Sequence, residues 1–202
     1  MYNLTVSEEW NSIQPRDLWV YNKLQLSQTL GYTCGPAGLE VPKSGFYIVR
    51  PIMNFMGMGR YAREEFIKRD TEYLHPGEFW CEVFDGEHLS VDYFRGESSL
   101  VVIGKRKKDF KFYKWDSWEK TDRKVEFPEL LNPLKDRYDW INCEFIDGKL
   151  IEVQFRRNPD FRFGNSIAIP VWKEDPEPTL PEGTSFRYIE EIDYKRKGFI
   201  ID

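Results

Sequence analysis

Short apolar runs punctuated by glycine, proline and aspartate dominate the chain, and one segment has clear start and stop signals for a helix. That segment is LWVYNKLQLSQTL, residues 18–30, with Asp17 ahead of it as a candidate N-cap and Gly31 behind it as a stop. The Gly- and Pro-rich stretch 32–45 reads as a connection, and FYIVR at 46–50 is β-branched and aromatic enough for a strand that Pro51 ends. Residues 61–73 fit either a short helix or a flap. Strands are expected for EFWCEVF (78–84) and EHLSVDYFR (87–95), joined as a hairpin by Asp85 and Gly86, and then for SLVVIGKR (99–106) and FKFYKW (110–115). Pro128 opens a short helix that Pro133 breaks. KEDPEPTLPEG at 173–183 reads as an extended strap over the surface, and YKRKGFIID at 194–202 either docks or stays loose.

The strongest hairpin is WINCEFIDGKLIEVQFR, residues 140–156, whose Asp147–Gly148 turn can close in two registers. A two-residue turn mixes Ile141, Cys143 and Phe145 with Glu152 and Gln154 on one face. A three-residue turn, Ile146 to Gly148 with the glycine left-handed in a bulge, separates them. One face then carries Ile141, Cys143, Phe145, Ile151, Val153 and Phe155. The other carries Asn142, Glu144, Glu152, Gln154 and Arg156. This clean sorting selects the three-residue register. Two carboxylates and an amide on one sheet face are hard oxygen ligands of the kind magnesium shares with phosphate, although a solvated polar face has the same pattern. Arg156 and Arg157 can clamp phosphate or carboxylate oxygens in a planar fork.

At 202 residues the chain can bury one good-sized core or two small lobes that share one, and 41% apolar with 16% aromatic residues excludes disorder over most of it. A net charge of -5 argues against general affinity for nucleic acid or acidic membranes. Cys34, Cys81 and Cys143 form no CxxC pair and point to a reducing compartment, with Cys81 and Cys143 as buried small hydrophobes. With His75 and His88 the only histidines, a zinc site lacks ligands, so any metal is held by oxygen. MYNLTVSEEW lacks the basic and apolar regions of a signal peptide, and no apolar stretch approaches a membrane span, so a soluble, cytoplasmic protein is expected. The run GKRKKDFKFYKWDSWEK at 104–120 interleaves lysines with aromatics as single-stranded nucleic-acid binders do, but a hairpin with a charged turn also fits, and the acidic total favours the hairpin.

The helix carrying Lys23, the strand ending in Arg50 and Pro51, the loop NFMGMG at 54–59, EVFDGEHLSVD at 82–92 and CEFIDGKLIEVQFRRNPD at 143–160 follow one another in an order that resembles the ATP-grasp family, over roughly residues 17–172. The resemblance implies an α+β fold of two small lobes, each with an antiparallel sheet and helices, closing on a nucleotide cleft. It divides the chain into an N-terminal arm at 1–16, a first lobe at 17–84 with the glycine loop as a flap, a second lobe at 85–172 with the metal-site hairpin, and a strap at 173–202. In the family pattern Lys23 and Arg50 occupy the two phosphate-contacting lysine positions. Gly57 and Gly59 lie in the loop over the triphosphate. Glu82, Val83 and Phe84 match the segment that meets adenine, and Glu87 or His88 the ribose position. Glu144 and Glu152 match the metal-binding acids, with Gln154 where asparagine is usual.

The implied cofactors are ATP and Mg2+. The implied activity is ligation of a small carboxylate substrate to an amine or thiol through an acyl phosphate that Arg156 or Arg157 would hold, with the number of chains in the assembly left open. Arginine at 50, glutamine at 154 and the short sequence before Asp17, where typical ligases of the family carry an N-terminal α/β domain, mark a minimal, divergent member. The same departures leave open a non-catalytic nucleotide-binding or interaction protein.

Overall fold

The computed structural model describes residues 10–53, 61–69, 74–106, 112, 114–188 and 196–202. Two antiparallel sheets with few helical segments form an α+β architecture in two lobes. The smaller sheet has the strand order β1-β4-β2-β3, built from β1 (Cys34–Pro36), β2 (Gly45–Pro51), β3 (Arg63–Ile67) and β4 (Glu78–Cys81). The larger sheet has the order β11-β12-β10-β7-β6-β5-β8-β9. Its strands are β5 (His88–Phe94), β6 (Glu97–Lys105), β7 (Ser117–Thr121), β8 (Trp140–Ile146), β9 (Lys149–Gln154), β10 (Ile167–Trp172), β11 (Ser185–Tyr188) and β12 (Arg196–Ile201). Among the described residues no helix is long and apolar enough to cross a membrane.

The expected helix over 18–30 is two pieces, a 3-10 helix Pro15–Tyr21 and an α-helix, α1, Lys23–Thr29. Asn22 separates them in an extended conformation, and its side-chain oxygen accepts from the Gln25 N–H at 2.9 Å. Asn22 is therefore the cap. Asp17 is buried instead, with Arg137 donating to both of its oxygens at 2.7 and 3.0 Å and the Tyr138 hydroxyl donating at 2.9 Å. Gly31 ends the helical segment at φ 75°, as its left-handed freedom allows.

Asp85 and Gly86 do not close a hairpin. β4 pairs with β1 and β2, while β5 pairs with β6 and β8, so residues 82–87 carry the chain from one sheet to the other. The turn after β5 is Arg95–Gly96, both at positive φ (50° and 85°), the requirement of a two-residue type I′ turn. Residues 63–67, within the stretch that fitted helix or flap, are strand β3. The strand expected at 110–115 begins instead at Ser117, and Phe112, Lys114 and Trp115 of that stretch lie outside any strand. The chain end docks, with β12 running between β11 and β10 and burying Phe199, Ile200 and Ile201.

One face of the large sheet is apolar. Val91, Tyr93, Val101, Ile141, Cys143, Val153 and Phe155 pack there under Val20 and Tyr21, Leu26 of α1, and Leu131 and Leu134 from the 3-10 helix Glu129–Leu134. The opposite face is divided. Over β6, β7, β10 and β12 it carries an apolar cluster of Val102, Trp118, Ala168, Phe199 and Ile201. Over β5, β8 and β9 it carries polar side chains, and α1 packs against β9 at that end while also contacting β1 of the small sheet.

The clamp on Asp17 holds the N-terminal segment to residues 137–138, so Asp17→Ala should lower the unfolding free energy by about 2–3 kcal/mol. Urea denaturation should record this as a lower midpoint with an unchanged slope.

Candidate functional site

The β8–β9 hairpin closes through a two-residue turn, with Asp147 at φ 49° and Gly148 at φ 74°, and Ile146 opposite Lys149. The three-residue turn expected from the sequence is thus absent. A register shift follows at once, because Phe145 faces Leu150 while Glu144 faces Glu152, leaving Ile151 as the extra residue of a bulge. Turn and bulge together produce the one-residue offset that the three-residue loop would have supplied, so from Glu144 and Glu152 onward the expected sorting holds. Asn142 faces Gln154 and Cys143 faces Val153. Leu150, rather than Ile151, completes the apolar cluster with Phe145 and Val153.

The polar face is largely buried, which the sequence pattern does not reveal. Glu152 is 8% exposed and Lys23 of α1 is 5% exposed, and the Lys23 ammonium donates to Glu152 Oε2 at 2.6 Å. Gln154 Nε2 donates to the other oxygen of Glu152 at 3.0 Å. Burial pushes the Glu152 carboxyl pKa up. The Lys23 ammonium, the Gln154 amide and Arg50 more than offset that and hold it below the usual carboxylate range. Directly opposite, Glu144 Oε2 lies 3.2 Å from His88 Nε2, and the His88 ring stands edge-on to Trp115 and Trp118 at 4.6 and 5.5 Å.

Arg50 enters from β2 of the small sheet. Burial lowers its pKa, opposed by Cys81, Glu152, Glu144 and Cys34, so it lies within electrostatic reach of both carboxylates. Its guanidinium rests 5.2 Å from the centre of the Phe79 ring, and its Nε is buried without a hydrogen-bond partner among the described residues. Lys23 from α1 and Arg50 from the small sheet therefore bring positive charge to two carboxylates of the large sheet.

The remaining candidates are distributed around this cluster. Glu82 Oε1 accepts from the Thr33 N–H at 2.8 Å, Val83 is exposed, and Phe84 sits between Tyr32, edge-on at 4.8 Å, and the Lys149 ammonium at 4.6 Å. Glu87 pairs with Arg123, whereas its neighbour His88 reaches Glu144. Arg156 donates to the Arg157 carbonyl at 3.3 Å, and the Arg157 guanidinium lies 4.6 Å from the centre of the Trp140 ring. Gly57 and Gly59 lie outside the described residues.

Sequence reasoning missed a second buried network on the same face. Asp92, 1% exposed, accepts from Asn142 Nδ2 at 2.8 Å and from the Asn158 N–H at 2.8 and 3.1 Å. Asn142 also donates to Ser90 Oγ at 2.9 Å. The available signal was parity, since Ser90 faces Glu144 and Asp92 faces Asn142. Burial drives the Asp92 carboxyl up to about 6 against its hydrogen bonds from Asn142 and Asn158 and the charges of Arg157 and Arg156. Through Asn158 this network anchors the segment that carries the two arginines.

Glu144, Glu152 and the Gln154 amide oxygen suit a hard divalent cation, which takes oxygen ligands. Like charges directly opposite on adjacent strands are unfavourable unless positive charge accompanies them. The donor set fits magnesium on chemistry. Among the described residues no cluster of three or more His, Cys, Asp or Glu side chains gathers to hold a metal, at this carboxylate pair or elsewhere.

No protein-family model matches the sequence, and no curated protein matches it. Among solved structures, a protein from Archaeoglobus fulgidus assigned to the ATP-grasp superfamily superposes with a TM-score of 0.50 at 13% identity over 91% of this chain. An L-amino acid ligase from Bacillus licheniformis gives 0.46 at 13% identity over 71% of this chain. The chain spans 64% and 42% of those two structures. The likeness to the first is one of fold, an ATP-grasp-like α+β architecture.

Because the folded-state pKa of Asp92 is raised, the native protein binds more protons than the unfolded chain between about pH 4 and pH 6, and stability falls as pH rises through that window. Asp92→Asn removes this dependence. Urea unfolding at both ends of the window should show the variant gaining up to about 3 kcal/mol relative to wild type on going from pH 4 to pH 6.5.

Proposed function

We propose that the chain binds ATP with magnesium in the cleft between its sheets and acts as a ligase-like enzyme, activating a small carboxylate as an acyl phosphate for an amine or thiol. The observation that carries this reading is Arg50. A guanidinium with a buried, unpartnered Nε is costly unless an anion completes it, and its forked geometry suits phosphate oxygens. Lys23 donates to Glu152, one of the two carboxylates whose charge also acts on Arg50.

ATP with magnesium supplies the phosphoryl group and the neutralisation of its charge. The residues then divide the remaining work. Lys23 and Arg50 stabilise phosphate charge as it shifts during transfer. Glu144, Glu152 and Gln154 would hold the metal, and His88 orients Glu144. The Glu82–Phe84 segment, fixed by Thr33 and Tyr32, offers backbone groups and a ring edge to a base. Arg156 and Arg157, steadied through Asn158 by Asp92, are placed to hold the substrate carboxylate. The lobe boundary under this reading lies at residues 84 and 85, within the crossing segment.

Thermal unfolding with ATP and magnesium provides the test, since a ligand that binds only the native state raises the midpoint. Arg50→Met should weaken nucleotide binding at least about thirtyfold, and Glu152→Gln should remove its dependence on magnesium. ADP release across a panel of acids and amines should then identify the substrate. A wild-type midpoint unmoved by saturating ATP and magnesium would sink the reading.

A further inference from the structure

We propose that Lys23 is an exchangeable stand-in for the metal cation: in the nucleotide-free protein it occupies Glu152, and it transfers to nucleotide phosphate when metal and nucleotide enter together. This inference rests on the nucleotide reading above. The ammonium lies 2.6 Å from Glu152 Oε2, and both side chains are almost fully buried. The other Glu152 oxygen is taken by the Gln154 amide. A metal can therefore reach Glu152 Oε2 only when the ammonium leaves.

The local charge fixes the direction of the effect. Lys23 and Arg50 balance Glu144 and Glu152, so these four side chains carry two positive and two negative charges and have little attraction for a bare divalent cation. Departure of Lys23 leaves a net negative charge in a poorly solvated place, which favours the metal strongly. A buried ammonium cannot depart without a new anion, and phosphate supplies it. Arg50, whose Nε has no hydrogen-bond partner among the described residues, marks where that anion arrives. The backbone of Lys23, the first residue of α1, is held next to the end of β2 by its N–H bond to the Ile52 carbonyl at 2.9 Å, so the exchange requires only its side chain to swing.

The consequence runs against the ordinary expectation for a phosphate-binding lysine. Lys23→Met should weaken ATP binding, yet tighten binding of metal alone. Titration of the nucleotide-free protein with Mn2+, followed by the loss of the free-ion electron paramagnetic resonance signal, should give at least tenfold tighter binding for Lys23→Met than for wild type. Lys23→Gln, which keeps a donor to Glu152 without the charge, should move the same way. Lys23→Met combined with Glu152→Gln should return to the weak wild-type value. With EDTA present, Lys23→Met should unfold at a lower temperature than wild type, and Mn2+ should restore it while leaving wild type unmoved.

Two failures are distinguishable. If wild type binds ATP with magnesium but neither Lys23 variant binds Mn2+ more tightly than wild type, the exchange is overturned and the nucleotide reading stands. If wild type binds no nucleotide under any of these conditions, both are overturned.

Discussion

Glu144 and Glu152 face each other across adjacent strands, with Glu152 almost wholly out of water. Two carboxylates in that relation repel, and the sheet tolerates them because Lys23 and Arg50 bring compensating charge. Neither cation belongs to the sheet that needs it. Lys23 comes from α1 and Arg50 from β2, so the charges that stabilise the pair also tie the smaller lobe to the larger. The bond from the Lys23 N–H to the Ile52 carbonyl closes the same connection through the backbone. Electrostatic compensation at this point and the relative placement of the two sheets are one constraint.

The large sheet supports this by dividing one of its faces. Strands β6, β7, β10 and β12 devote it to an apolar cluster, while β5, β8 and β9 keep it polar. His88 stands at the border, edge-on to Trp115 and Trp118 on one side and in contact with Glu144 on the other. Behind the carboxylate pair, Asp92, Asn142, Ser90 and Asn158 satisfy one another and hold the backbone leading out of the Arg156–Arg157 segment. Such a network is stable when its donors and acceptors are matched, and matched networks are stiff. The outcome is a rigid polar floor on the large sheet, set against Arg50 of the small sheet.

Much of the polar floor was legible from residues 140–156, because strand parity sorts Glu144, Glu152 and Gln154 from Ile141, Cys143 and Val153 whenever the turn supplies a one-residue offset. The device supplying that offset was not legible. A tight Asp147–Gly148 turn with a bulge at Ile151 and a three-residue loop give the same sorting of faces over most of the hairpin, but they differ in whether Leu150 or Ile151 faces the core and in partners, since only the bulge sets Glu144 opposite Glu152. The helix end at Gly31 could be read, but the break at Asn22 could not, since Asp17 is as good a cap in isolation and was claimed by Arg137 and Tyr138, over a hundred residues away.

What the sequence by itself determined is local: strand alternation, the left-handed turn residues and the face on which the two glutamates lie. Tertiary structure decided which sheet receives each strand, sending β4 to one lobe and β5 to the other across Asp85 and Gly86. It also decided that the polar face would be buried and paired, bringing Lys23 to Glu152 from 129 positions away. Periodicity reports which side chains share a face but carries no record of what covers that face, and here the partners come from α1, β2 and the segment around Asn158.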